Sequence, residues 1–75
     1  MPAKFWAVRR ALRTYEHLRL EERSGKGSHT VIRDQHGRTY PLSLHRGEHS
    51  EISDVYLRGL CRVFLLDYDD FKKRL

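Results

Sequence analysis

The sequence contains one cysteine, two prolines and no apolar run longer than four residues. The lone Cys61 excludes an intramolecular disulfide and a cysteine-rich zinc site, so hydrophobic packing has to hold the chain together. A membrane-spanning helix needs about 20 apolar residues, and a secretory signal needs an apolar stretch of about 7–15 residues. Residues 1–10 carry positive charge without such a stretch. We therefore expect a cytoplasmic protein that has no membrane partner.

A length of 75 residues leaves room for one hydrophobic core. A chain of this size buries only about 60% of the surface that it exposes when unfolded. Apolar residues make up 39% and charged residues 33% of the sequence, which is typical of a folded globular chain rather than a disordered one. These features predict a single domain over residues 1–75, of modest stability.

Positive charge is concentrated in the first half of the sequence. Fifteen Lys and Arg oppose ten Asp and Glu, for a net charge of +5. Residues 1–38 hold nine of these bases and four of the acids, whereas residues 39–75 hold six of each. Eleven of the fifteen bases are arginines, whose planar guanidinium suits the oxygens of a phosphate. This favours a polyanionic partner, the alternative being that the charge only keeps a small protein soluble.

Two segments have the apolar spacing of amphipathic helices. The apolar face of the first has residues three or four apart: Phe5, Val8, Leu12 and Tyr15. Its other face carries three arginines: Arg9, Arg10 and Arg13. The second helix is predicted to begin with Ser53 or Asp54 as its N-cap, and its apolar face carries Leu57, Leu60, Cys61 and Phe64. Asp67 is expected to cap a final helical turn over residues 68–75.

Strand patterns fill the region between these helices. Alternating or β-branched apolar residues predict strands over residues 18–24, 28–33 and 38–44, with a turn at 34–37 and a loop at 45–50. The order α-β-β-β-α predicts an α+β fold, in which a three-stranded antiparallel sheet has two helices on one face. The other face of the sheet is then left open.

The tripeptide Gly27-Ser28-His29, preceded by Lys26, is the candidate catalytic motif. An imidazole can take or give a proton near neutral pH, and flanking glycines let a phosphodiester approach the main chain. Such a group suits ribonuclease chemistry, in which a 2′-hydroxyl attacks its neighbouring phosphorus while Lys26 and Arg33 stabilise the developing charge, without metal or cofactor. The alternative is that His29 is only a polar surface residue of a strand.

A second histidine pattern lies in the loop at 45–50. His45, Glu48 and His49 match H-x-x-E-H, which in zinc proteases requires both histidines on one face of a helix. Gly47 interrupts this segment and no long helix surrounds it, so we interpret the match as a coincidence. Whether His45 or His49 assists the candidate chemistry stays open from the sequence.

Taken together, the motifs resemble the HicA-type mRNA interferase family, also called YcfA-like toxins. The resemblance spans nearly the whole chain and rests on these strings: Gly27-Ser28-His29, His36-Gly37-Arg38, His45-Arg46-Gly47, Leu57-Arg58-Gly59-Leu60-Cys61-Arg62 and Asp69-Asp70-Phe71. It implies a fold similar to the double-stranded-RNA-binding domain. It also implies the toxin of a type II toxin-antitoxin pair, a metal-independent endoribonuclease that cleaves mRNA with His29 and is covered by an acidic HicB-like antitoxin.

The leading hypothesis is therefore an RNA-cleaving toxin with His29 as general acid or base. Candidate contacts to the RNA are Arg9, Arg10, Arg13, Arg23, Arg38, Gly27 and Ser28. One alternative is a non-catalytic RNA-binding domain that uses the same basic surface to recognise the shape of an RNA helix. Another is a small interaction module that acts only through a protein partner.

Overall fold

The computed structural model describes residues 2–22, 29–44 and 46–75, with position 29 described for its main chain. Its helices are α1 (Phe5–Leu12), α2 (Asp54–Val63) and α3 (Tyr68–Lys73), and a 3-10 turn covers Gly47–His49. Its strands are β1 (Ala3–Lys4), β2 (Leu18–Glu22), β3 (His29–Asp34), β4 (Thr39–Ser43) and β5 (Glu51–Ile52). None of the helices in the described ranges combines the length and apolar character needed to cross a membrane.

The main sheet is antiparallel with the strand order β2-β3-β4. Leu20 pairs with Ile32, and Ile32 pairs with Tyr40, so these residues lie on the same face. The turn from β3 to β4 is built by Asp34, whose carboxylate accepts the main-chain N–H groups of His36 at 2.9 Å and Arg38 at 2.8 Å. The predicted α+β class and three-stranded antiparallel sheet are thus confirmed.

Burial and hydrogen bonding act in opposite directions on the turn carboxylate. Burial by itself would raise the pKa of Asp34, but the N–H groups of Arg38 and His36 stabilise its charge and lower the pKa below the ordinary value. Asp34 is 8% exposed. The ionised carboxylate therefore fastens the β3–β4 turn at neutral pH.

The helix caps follow the predictions, but α1 is shorter than predicted. The hydroxyl of Ser53 accepts the N–H of Tyr56 at 3.2 Å at the start of α2, and Asp67 accepts two N–H groups of α3. The α1 helix ends at Leu12 because both hydroxyl and N–H of Thr14 bond back to the carbonyl of Ala11, at 2.6 and 3.1 Å. A threonine side chain that bonds to a main-chain carbonyl in this way competes with the hydrogen bonds of the helix and favours its end.

A two-stranded ribbon that the sequence did not predict joins the start of the chain to the segment before α2. In it Ala3 pairs with Ile52 and Lys4 pairs with Glu51. The N–H of Phe5 also donates to the carbonyl of Ser50 at 2.8 Å. A strand of two residues is too short to show the alternation of apolar and polar residues by which strands are recognised in a sequence. The described part of the predicted loop at 45–50 is therefore ordered by the 3-10 turn and this ribbon.

One core lies between the main sheet and the helices. It contains Ile32 and Leu42 of the sheet together with residues of all three helices, and its largest fully buried side chains include Phe5 and Phe71. Cys61, 2% exposed, belongs to this core as predicted. On the opposite face of the sheet no described residue is buried: Arg19, Glu21, Val31, Arg33, Thr39, Pro41 and Ser43. The predicted site residue Arg33 lies on this open face.

Candidate nucleic-acid interface

The main chain of His29 starts β3 and pairs with Ser43 at the end of β4. This places position 29 at one end of the main sheet. The side chain of His29 and the predicted residues Arg23, Lys26, Gly27 and Ser28 lie outside the described part of the chain. Ser43 and the elements packed beside it form the described surroundings of position 29.

A groove of about 360 Å³ adjoins this end of the sheet. Six residues line it: Lys4, Ser43, Arg46, His49, Ser50 and Glu51. We call it the Ser43 groove. Two of its lining side chains are strong bases, one is an imidazole and one is a carboxylate. It brings His49 beside the strand end that carries position 29.

The wall of the Ser43 groove that carries His49 is fixed by hydrogen bonds. Ser50 is buried, and its hydroxyl accepts the N–H of Arg46 at 2.8 Å. Lys4 donates to the carbonyl of His49 at 3.3 Å. Arg9 of α1 pairs with Glu48 at 3.0 Å. The 3-10 turn is therefore held against α1 and β1 while the His49 and Arg46 side chains stay exposed.

Arg33, a predicted stabiliser of phosphate charge, is engaged by a carboxylate of the neighbouring strand. Its Nε lies 2.9 Å from Oε2 of Glu21, and its Nη2 lies 3.2 Å from Oε1. The hydrogen bond and the charge of Glu21 raise the pKa of Arg33. An incoming phosphate has to compete with Glu21 for this guanidinium.

The predicted arginines of α1 fall into different environments. Arg9 is held between Glu22 at 3.4 Å and Glu48 at 3.0 Å, with 25% of its side chain exposed. Arg10 lies over the ring of Trp6 and donates to the carbonyl of Leu75. Among the described residues, exposed Arg13 forms no ion pair. Arg13 is therefore the arginine of this group best placed to meet a phosphate.

Arg38 is partly engaged at the β3–β4 turn. It lies 3.9 Å from the carboxylate of Asp34 and donates to the carbonyl of Val63 at 3.5 Å. This turn is at the end of β3 opposite to position 29, which is five residues away. At about 3.3 Å per residue that separation is about 16 Å. Position 29 and the turn that carries Arg38 therefore lie at opposite ends of β3.

A second concavity, of about 380 Å³, lies at that same far end of the sheet. Glu16, His17, Arg19 and Arg33 are among its lining residues. Its acidic and basic side chains are mixed, and it is remote from position 29. The Ser43 groove is taken as the candidate site because it adjoins the strand end that carries position 29.

Sequence reasoning missed Lys4, Ser43 and Arg46 as members of a site. Lys4 is 45 residues from His49, to which it donates. Pairing of β1 with β5 brings them together, and no local pattern encodes a contact of that range. Of the H-x-x-E-H pattern, His45 lies outside the described part of the chain, while Glu48 lies in a 3-10 turn and pairs with Arg9. Among the described residues no group of three or more His, Cys, Asp or Glu is arranged to hold a metal ion.

The chain was compared with protein-family models, with curated proteins and with solved structures, and no match was found in any of the three.

Proposed function

We propose that this chain is the toxin of a type II toxin-antitoxin pair, a HicA-type mRNA interferase that cleaves RNA without a metal ion. The observation that carries the proposal is the pairing of position 29 with Ser43, because Ser43 lines a groove with Lys4 and Arg46. Cleavage of a phosphodiester by its own ribose requires a proton acceptor and cations near the phosphate, and the groove at this strand end supplies two cations. The proposal includes a fold similar to the double-stranded-RNA-binding domain.

In the proposed reaction His29 accepts the proton of a 2′-hydroxyl while that oxygen attacks the neighbouring phosphorus. A positioned proton acceptor accelerates such a step by about 10²–10⁴. The charge that develops on the phosphate is stabilised by cations, for which Lys26, Arg33 and the groove residues Lys4 and Arg46 are the candidates. Arg33 contributes to this stabilisation once the phosphate has displaced Glu21 from its guanidinium.

The proposed partners are mRNA and an acidic HicB-like antitoxin. The net charge of +5 and the exposed arginines favour a polyanion and, equally, an acidic protein surface. An antitoxin that covers the Ser43 groove would block the RNA by occupying the same cations.

The test is growth arrest in a host that lacks the antitoxin. Wild-type chain, His29→Ala and the control His36→Ala are expressed to equal levels, and their folding is compared by circular dichroism. We expect arrest and RNA cleavage by the wild type and His36→Ala, and neither by His29→Ala. Equal arrest by His29→Ala would remove this histidine from the mechanism.

A non-catalytic RNA-binding domain is the second candidate function. It is favoured by exposed Arg13 and Arg19, which have no ion-pair partner among the described residues and can contact phosphates without any histidine. Purified wild-type chain that binds RNA but neither cleaves it nor arrests growth would establish this alternative. Binding that persists unchanged in His29→Ala would accompany that result.

A further inference from the structure

The two edge strands of the main sheet, β2 and β4, differ in how they are protected. The β4 strand contains Pro41, which has no N–H, and the carbonyl of Pro41 accepts the hydroxyl of Tyr56. Prolines and covering side chains of this kind keep a sheet edge from pairing with another chain. The β2 strand contains neither proline nor glycine and pairs with β3 in one continuous register. The β2 edge is therefore the better placed of the two to receive a further strand.

The main-chain N–H and carbonyl of Leu20 point away from β3. The N–H of Leu18 donates to the carbonyl of Tyr15 at 3.2 Å rather than to β3. Opposite Leu18, the N–H of Asp34 donates to Arg38 at 3.1 Å, on the β4 side. Because the direction of these groups alternates along a strand, Leu20 has the same outward direction as Leu18. No hydrogen bond between described residues reaches Leu20 from that side, so it offers one donor and one acceptor to a further strand.

Arg19, on the open face of the sheet, lies beside this edge without a carboxylate partner. In the register of the sheet it is directly opposite Arg33, and like charges at such positions repel each other. Arg33 turns to Glu21 instead, at 2.9 Å. Arg19 is exposed and forms no ion pair with any residue that the structure describes. A strand added at the β2 edge can supply the missing carboxylate.

The sequence of β2, Leu-Arg-Leu-Glu-Glu, is complementary to itself when two copies run antiparallel. With Leu20 opposite Leu20 of the second copy, Arg19 lies opposite Glu21 and Leu18 lies opposite Glu22. Each Leu20 then donates its N–H to the carbonyl of the other. Arg19 and Glu21 occupy the adjacent non-hydrogen-bonded positions, where facing side chains are closest. The two-fold symmetry of such a pair forms each contact twice.

We propose that the β2 edge binds a second copy of this chain through an antiparallel β2–β2 pair. The main sheets of the two copies then form one continuous antiparallel sheet. On its open face, the carboxylate of Glu21 lies between Arg33 of its own chain and Arg19 of the other. On the opposite face, the half-buried Leu20 side chains of the two copies meet at the symmetry axis. This pairing goes beyond the proposed function and does not depend on it.

Charge complementarity selects a second copy as the occupant of the edge. An RNA strand would bring its phosphates close to Glu21 and has no N–H and carbonyl pattern to match Leu20. A second β2 strand satisfies Leu20 and supplies a carboxylate to Arg19 at the same time. The strand is short, so we expect a dimer that dissociates on dilution.

The test reverses the two facing charges and measures association by sedimentation equilibrium from micromolar to millimolar concentration. The wild type should form a dimer. Arg19→Glu places two carboxylates opposite each other, and Glu21→Arg places two guanidinium groups opposite each other. Each variant alone should dimerise at least about tenfold more weakly than the wild type. An equimolar mixture of the two restores both facing ion pairs and should dimerise with nearly the wild-type affinity.

Arg62→Glu is the matched control. It changes the net charge by the same amount as Arg19→Glu, and Arg62 is an exposed residue of α2. The hydrogen bond from Tyr40 to Tyr56 shows that α2 lies beside β4, at the other edge of the sheet. Arg62→Glu should therefore dimerise like the wild type. Circular dichroism checks that all three variants fold.

Methylation of the Leu20 main-chain nitrogen, in a chemically synthesised chain, tests the edge without changing a charge. It removes the N–H that points away from β3, so it should abolish the dimer and leave the circular dichroism spectrum of the monomer unchanged. A wild type that stays monomeric at millimolar concentration overturns the proposal and leaves the β2 edge to another occupant. A dimer that the charge reversals and the methyl group do not weaken also overturns it, because the copies then meet through another surface. Failure of the mixed variants to associate excludes the pairing of Arg19 with Glu21.

Discussion

Arg33 and Glu21 form a two-point ion pair between β3 and β2 on the open face of the main sheet. Each side chain is 42% exposed. Ion pairs this accessible stabilise a fold by only about 0.2–1 kcal/mol. On the proposed function, an RNA phosphate would compete with Glu21 for the guanidinium of Arg33.

Removing that competitor should strengthen RNA binding. We expect Glu21→Gln to bind single-stranded RNA more tightly and to increase the slope of log affinity against log salt by about 0.7, the contribution of one phosphate contact. Fluorescence anisotropy over a range of salt concentrations measures both. Asp69→Asn removes one exposed carboxylate from α3 and should leave the slope unchanged. If both variants had the same salt slope, the change in RNA binding would come from the net charge alone and not from the release of Arg33.

The two α1 arginines Arg9 and Arg13 should separate stability from RNA binding. Arg13→Ala should lower the salt slope by about 0.7 with little change in the free energy of unfolding. Arg9→Ala removes the cation between Glu22 and Glu48 and should lower the free energy of unfolding by about 1 kcal/mol. Urea denaturation and RNA titration of both variants check this. If Arg9→Ala unfolded with the same free energy as the wild type, the pairing of Arg9 with Glu22 and Glu48 would not stabilise the fold.

Gly59 and Tyr40 should be energetically coupled. A Cβ atom at Gly59 would lie 2.5 Å from the hydroxyl oxygen of Tyr40, which itself donates to the carbonyl of Tyr56 at 2.9 Å. Gly59→Ala should therefore destabilise the wild type. In Tyr40→Phe the nearest remaining ring atom is 3.5 Å away, and the same change should stabilise the protein by about 1 kcal/mol, the helix preference of Ala over Gly. Urea denaturation of the double-mutant cycle gives the coupling, and an equal effect in both backgrounds would exclude it.

Leu65 should be replaceable by glycine with a gain in stability. It follows α2 with a φ of 58°, a left-handed conformation, and 78% of it is exposed. Such a backbone costs a residue with a Cβ atom about 1–2 kcal/mol, whereas glycine adopts it freely. Part of that gain is lost because glycine is also freer in the unfolded chain. We expect Leu65→Gly to raise the free energy of unfolding by about 0.5–1 kcal/mol, measured by urea denaturation, with the exposed helical residue Val55→Gly as a destabilised control.

Cys61 should make stability depend on pH in alkaline solution. Burial, with a smaller contribution from Asp67, raises the pKa of this thiol from 9.0 to about 11. The unfolded chain loses the proton at lower pH than the folded one, so this contribution is complete below pH 9 and is lost as pH rises from 9 to about 11. Urea denaturation should show a steeper decline over that range in the wild type than in Cys61→Ala. Iodoacetamide should label Cys61 at pH 8 only after unfolding.

Local patterns in the sequence determined much of the fold. The spacing of Val8 and Leu12 predicted α1, and Ser53 and Asp67 predicted the helix starts where their side chains accept N–H groups. These features could be predicted because their physical causes, burial of one helix face and capping of free N–H groups, act between residues a few positions apart. His29 as the catalytic candidate also came from the sequence and stays a prediction.

Only the tertiary structure decided which charges are free and which residues share a groove. Lys4 meets His49 through the β1–β5 ribbon, and Arg9 meets Glu48 because the 3-10 turn packs against α1. Sequence spacing assigns Arg9 and Arg13 the same role, yet one is held by two carboxylates and the other is exposed. Contacts between distant segments depend on how the whole core packs, and a local pattern holds no information about that packing.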